Sequence, residues 1–197
     1  MSLQINNVTK YFADKCILKN FSYTFDNSGI YAIVGDSGVG KTTLLRMIAS
    51  LDKDYSGNIT GGGFKKVSFA FQEYRLFPQL TALENVVFSV SDRKNEAVCG
   101  KARDMLLSLG INEADINLLP DQLSGGMKQR VSIARALISD AEILLLDEPT
   151  KELDSENCDN VLRLVKNLSQ TKLVIIVSHN EDDLDFLNAI RVEIPKI

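Results

Sequence analysis

The sequence predicts an α/β fold: a parallel sheet core that carries an N-terminal antiparallel β layer and an inserted α-helical lobe. Three observations support this. "EILLLD" (142–147) and "KLVIIVS" (172–178) are short leucine-rich or β-branched runs separated by the helical "SENCDNVLRLVKNLS" (155–169), a rhythm that requires parallel pairing. Residues 3–25 alternate apolar and polar side chains, as half-wet strands do. From about 77 to 138 the apolar residues recur at helical spacing instead.

Taken in order, "LQINNVTKYFADKCILKNFSYTF" (3–25) reads as short antiparallel strands and "GIYAIVG" (29–35) as a fully buried one. A helix from Lys41 to about Ser50 presents Leu44, Leu45, Ile48 and Leu51, and the turn residues of "SGNITGGGFKK" end it before the strand "VSFAF" (67–71). "LTALENVVFSV", "NEAVCGKARDMLLSLG" closing on Gly110, and "MKQRVSIARALI" are three helical patterns, and "IRVEIPKI" returns to strand. The expected organisation is a single domain over 1–197, with the β layer and core at about 1–76 and 139–197 and the helical subdomain at about 77–138.

Composition narrows the function classes. With 45% hydrophobic and 24% charged residues the chain is an ordinary globular one, and its net charge of −4 gives no basic signal for nucleic acid. Its longest apolar runs are far short of the ~20 residues that cross a bilayer, and no charged-then-apolar signal segment opens it, so it reads as cytoplasmic. Cys16, Cys99 and Cys158 are too few and too scattered for a disulfide framework or a zinc site.

"GDSGVGKTT" (35–43) lies between "IYAIV" and "LLRMIASL". The spacing Gly35-x-x-x-x-Gly40-Lys41-Thr42 fits a phosphate-binding P-loop, in which bare glycine backbone approaches a polyphosphate and aims its N–H groups inward. The candidate ATP contacts are Gly35, Asp36, Ser37, Gly38, Val39, Gly40, Lys41, Thr42 and Thr43. Lys41 would reach the β- and γ-phosphates, and the Thr42 hydroxyl would hold Mg²⁺. A strand before and a helix after is the context this motif needs, which favours it over an empty glycine turn and makes the core a P-loop NTPase sheet.

"ILLLDEP" puts Asp147 and Glu148 at the carboxyl end of a buried strand, where a parallel sheet presents its site. Asp147 there would hold Mg²⁺ through water and Glu148 would draw a proton from an attacking water; the alternative is a solvated acidic turn. "QLSGGMKQR" sets Ser124, Gly125 and Gly126 at the start of another helix. Hydroxyl, N–H groups and dipole converge there as a second anion site, unless they form an ordinary serine cap with a glycine hinge.

"GDSGVGKTT", "FQE", "LSGGMKQR", "ILLLDEP" and "VSH" occur in the order and context of the nucleotide-binding subunits of ATP-binding cassette (ABC) transporters, which the chain resembles along essentially its whole length. The resemblance implies an ATPase that uses MgATP to drive substrate movement through integral membrane permease subunits, on the inner face of the cell membrane. It implies a head-to-tail homodimer or pseudo-dimer in which each ATP lies between the P-loop of one subunit and Ser124, Gly125 and Gly126 of the other, with Asp154 on the trans side. Tyr11 is similar to the aromatic that stacks on adenine, with a strand residue covering the core as the alternative. Gln72 resembles a ligand of Mg²⁺ and water, Glu148 the general base, and His179 the residue that contacts the γ-phosphate.

"FQEYRLFPQLTALENVVF" is similar to the importers for nitrate, taurine and aliphatic sulfonates, which adds an extracytoplasmic substrate-binding protein to the expected partners. Tyr74, Leu76, Phe77 and Leu80 follow Gln72 either as a membrane-partner contact or as the lobe's own core. One departure stands out. Where the family commonly has a serine and a small residue before Leu-Asp, this chain has Lys151-Glu152-Leu153-Asp154, which bears on the cross-dimer contacts. A non-transport ABC-type ATPase is the alternative function, though the chain has no room for the long coiled-coil insertion typical of that class. An inert nucleotide binder is disfavoured by Lys41, Glu148 and His179.

Overall fold

The computed structural model describes residues 2–61, 63–64, 66–90 and 95–196. Its parallel sheet has the order β5 (Val67–Ala70), β6 (Ile143–Asp147), β7 (Leu173–Val177), β3 (Gly29–Val34) and β8 (Ile190–Glu193). Every residue of β6 and β7 is buried, because both faces of the sheet are covered and no wet side remains for alternation.

The two-residue period of a strand divides these runs between two cores. Leu144, Leu146, Val174 and Ile176 face one core, while Ile143, Leu145, Leu173, Ile175 and Val177 face the other. The first core is closed by α2 (Ala82–Val87), α3 (Glu96–Ser108), α4 (Gly125–Leu137), α5 (Ser155–Leu168) and α6 (Glu181–Leu187). The second is closed by α1 (Lys41–Ile48) and an antiparallel sheet of β1 (Leu3–Phe12), β2 (Lys15–Phe25) and β4 (Ser56–Thr60), in the order β2-β1-β4. This is the α/β architecture expected from the sequence.

Two elements go beyond the sequence reading. β4 falls in the stretch read as turn residues, of which Gly62 and Lys65 lie outside the described residues. It is an almost wholly exposed edge strand with no apolar alternation, and its pairing with β1 defines it. Gly57 permits that pairing: at φ +91° an added Cβ would lie 2.4 Å from the Asn7 carbonyl oxygen. The second element, α6, is short and acidic, with Asn180 as its cap and Glu181, Asp182 and Asp183 in its first turn. Those charges suit the positive end of the helix dipole, but they hide the helix from a search for apolar periodicity.

Buried polar groups hold the helical lobe together and join it to α5. Asn85 accepts from the Phe77 N–H at 2.8 Å and donates to the carbonyls of Phe77, Leu80 and Thr81, fixing the segment that follows Gln72. Leu76 packs against the first core and Phe77 lies on Phe88, centroids 4.5 Å apart, so both are committed at least partly to packing within the chain. Arg130 of α4 donates to the carbonyls of Leu109 and Gly110 at 3.0 and 2.7 Å and to the Asn157 side chain at 2.7 Å. One guanidinium therefore joins the end of α3, the start of α4 and α5. Arg130→Ala is expected to lower stability by about 2–3 kcal/mol, seen as a lower urea midpoint at unchanged slope, because the buried Leu109 carbonyl and the part-buried Gly110 carbonyl lose a charged donor.

Candidate functional site

The site begins where β3 ends. Gly35, Gly38 and Gly40 adopt φ of +142°, +78° and +109°, conformations that admit the tight loop leading into α1. At Gly40 an added Cβ would lie 2.5 Å from the Ile17 side chain, so the loop also packs closely on β2. α1 has no side-chain cap and no acidic residue in its first turn, which leaves its N-terminal dipole directed at the cleft. Lys41 is buried, and its ammonium donates to the carbonyls of Gly35 at 2.7 Å and Asp36 at 3.0 Å, spanning the loop.

A cleft of about 510 Å³ opens over this loop. Ser37, Gly38, Gly40, Lys41, Thr42 and Thr43 line it from below; Gln72, Glu148 and His179 face them. Residues from four separate segments of the chain therefore meet in one place. Asp36 and Val39 line a smaller neighbouring cleft instead. The Asp36 carboxylate pairs with Lys196 at 2.9 Å, which holds its pKa below the usual carboxylate range.

Asp147 ends β6 beneath the cleft, almost wholly buried. Burial pushes its pKa up, while a hydrogen bond from Thr42 acts in the opposite direction. Its Oδ1 is buried and has no hydrogen-bond partner. An orphaned carboxylate oxygen beside a threonine hydroxyl, with a glutamine amide across the cleft, suits Mg²⁺, which takes one or two protein ligands and completes its shell with phosphate and water oxygens. No cluster of three or more His, Cys, Asp or Glu side chains able to cage a metal occurs among the described residues.

Glu148 is held in an unusual posture. Its φ is +50°, its N–H donates to the Val177 carbonyl at 2.8 Å, and Gln129 from α4 donates to the next carbonyl, that of Pro149, at 3.2 Å. The carboxylate is mostly buried, with Lys151 Nζ at 2.7 Å from Oε2 and His179 Nε2 at 3.4 Å from Oε1. Thr150 bonds Asp183 at 2.5 Å and Asn180 bonds the same carboxylate at 2.9 Å, bracing the turns that carry Glu148 and His179 against α6.

Other expected residues lie away from the cleft. Ser124 caps α4 by accepting from Met127 N–H at 3.3 Å, and Asp154 caps α5 by accepting from Asn157 N–H at 2.9 Å. Neither they nor Gly125 and Gly126 line the cleft, so the chain carries two separate helix starts with glycine backbone. Glu152 lies against the second: it accepts a hydrogen bond from Tyr74, and a Cβ on Gly125 would be 3.2 Å from its Oε2.

Tyr11 is not brought to the cleft. It pairs with Cys16 across the β1–β2 hairpin, and Phe12, the next residue, supplies the aromatic face lining the cleft. Strand alternation was the signal: neighbours on a strand face opposite sides, so only one of the two rings could serve. Lys151 and Gln129 were also missed as site residues. Gln129 lies within "LSGGMKQR", but its bond to the Pro149 carbonyl 20 residues on is set by the fold.

Comparison with known proteins identifies the family. Residues 18–151 match the family model described as ABC transporter. The aliphatic sulfonates import ATP-binding protein SsuB of Bacillus anthracis is 36% identical over 200 residues, spanning 95% of this chain and 79% of that protein. The arginine transport ATP-binding protein ArtM of Bacillus subtilis (strain 168) is also 36% identical, over 194 residues, 90% of this chain and 80% of its own. The dimeric post-hydrolysis structure of the ATP-binding cassette MJ0796, bound to ADP and Pi, superposes with a TM-score of 0.88 at 32% identity, covering 98% of this chain and 97% of that one.

Proposed function

The chain belongs to the ABC transporter family, and from that premise we propose that it is the ATP-binding subunit of an importer, hydrolysing MgATP in a head-to-tail dimer to drive substrate through partner permease subunits. The observation that carries the reading is the meeting of Glu148 with the Lys41–Thr42 loop in one cleft, above the orphaned Asp147 oxygen.

In this reading Lys41 exchanges its two carbonyl partners for the β- and γ-phosphates, which offer it far more negative charge. The N–H groups of the glycine loop and of the first turn of α1 receive the remaining phosphate oxygens. Thr42, Gln72 and Asp147 would hold Mg²⁺, which supplies charge neutralisation on the transferring phosphate. Glu148, fixed from both sides of its backbone, accepts the proton of the attacking water. His179, on the same carboxylate, orients toward the γ-phosphate. Phe12 takes the place assigned to Tyr11 as the ring beside adenine.

The import assignment rests on relatives such as SsuB, named for aliphatic sulfonates import, while ArtM, at equal identity to this chain, is named for arginine transport. Cargo that differs at equal relatedness points to selection by the membrane and extracytoplasmic partners. Among the described residues no helix is long and apolar enough to cross a membrane. By likeness to the import ATP-binding subunits we place the chain at the inner membrane face through its permease, as one ATPase domain with a helical subdomain.

Phosphate release by the purified chain tests the chemistry. Lys41→Ala is expected to weaken MgATP binding at least ~10-fold, since it deletes a buried charge that faces the phosphates. Parent-like nucleotide affinity in that variant would remove the loop from the ATP site.

A further inference from the structure

The departure at Lys151 has a definite place in the site. Its backbone lies in the turn after β6, and its side chain returns to the cleft that Lys41, Thr42 and Gln72 also line. The ammonium sits 2.7 Å from Glu148 Oε2, on the opposite side of the carboxylate from His179. The Lys151 side chain is 53% exposed, so its long stem is free to move while its head stays over the cleft.

We propose that Lys151 is a second phosphate-facing cation, paired with Glu148 before ATP enters and transferred to the terminal phosphate when it does. The proposal rests on the ATP reading of the cleft. The two cations differ in how they are held: Lys41 is buried and gripped by two backbone carbonyls, whereas the half-exposed Lys151 is held by one ion pair. The pair is open to solvent on the lysine side, and a terminal phosphate carries about twice the charge of a carboxylate, so the exchange favours the phosphate. The Glu148 bond holds the Lys151 pKa above its ordinary value.

The exchange has a consequence for turnover. While Lys151 lies on Oε2, a water cannot hand its proton to that oxygen. Arrival of the γ-phosphate draws the lysine away and exposes the base at the moment its substrate is present. ADP lacks the phosphate that competes, so Glu148 stays covered in the product state.

Equilibrium binding of MgATP and MgADP to the purified chain tests this in a Glu148→Gln background, where hydrolysis does not interfere. Adding Lys151→Ser is expected to weaken ATP binding at least ~10-fold while ADP affinity moves less than ~2-fold, and Lys151→Arg to restore ATP affinity. Glu148→Gln alone should bind ATP more tightly than the parent chain, because a neutral amide no longer competes for the ammonium. An unchanged ATP to ADP preference in Glu148→Gln/Lys151→Ser would reduce Lys151 to a surface ion pair and overturn the proposal. Equal weakening for both nucleotides would do the same by indicating a structural role. If Glu148→Gln with Lys151 intact binds no ATP, the nucleotide reading of the cleft falls, and this proposal with it.

Discussion

Glu148→Gln is expected to hydrolyse MgATP at least ~10²-fold more slowly than the parent chain while still binding it, a rise of about 2.7 kcal/mol in the barrier. The substitution is nearly isosteric, and what fixes the residue is its backbone. Its N–H bond to Val177 and the Gln129 bond to Pro149 do not involve the carboxylate, and the φ of +50° is as accessible to glutamine as to glutamate. An amide still accepts a hydrogen bond from water but takes no proton from it. Lys41 and the glycine loop are untouched, and Lys151 loses only its carboxylate partner. Single-turnover hydrolysis measured beside equilibrium binding checks both halves of the expectation, and near-parental hydrolysis would reassign the base.

The parts of the molecule legible in its sequence are those where one physical demand dominates. A strand buried on both faces has to be apolar throughout, so β6 and β7 are plain in "ILLL" and "LVIIV". A phosphate loop needs glycine at fixed spacing, and Gly35, Gly38 and Gly40 do adopt positive φ. Features held by contacts distant in sequence were not legible. β4 is a strand because β1 lies beside it, and the orientation of Tyr11 depends on which face of β1 turns inward, a choice further blurred by register shifts along that hairpin. Lys151 and Glu152 were visible as oddities. Their partners, Glu148 and Tyr74, are a fact of the fold: each of the two charged residues finds a partner within one chain.

The second large effect concerns the other glycine-rich helix start. Ser124, Gly125 and Gly126 stand apart from the cleft in their own chain, so a nucleotide in that cleft meets such a group only if a second subunit supplies it. ATP carries about four negative charges, and the N-terminus of α4 gains charge-assisted hydrogen bonds to them only when two subunits close face to face. Glu152, held by a Tyr74 hydrogen bond, lies against Gly125 at this helix start. The Glu148→Gln protein is therefore expected to elute as a monomer without nucleotide, as a dimer with MgATP, and as a monomer again with ADP alone. Adding Ser124→Arg puts a long side chain where the γ-phosphate must dock and should abolish the ATP-dependent dimer while monomer affinity for ATP changes less than ~2-fold. Loss of the serine cap costs about 1 kcal/mol of helix stability, which a thermal melt of the monomer would register separately. If Ser124→Arg instead abolished ATP binding by the monomer, both glycine loops would surround one nucleotide in one chain, and the two-subunit site would be wrong.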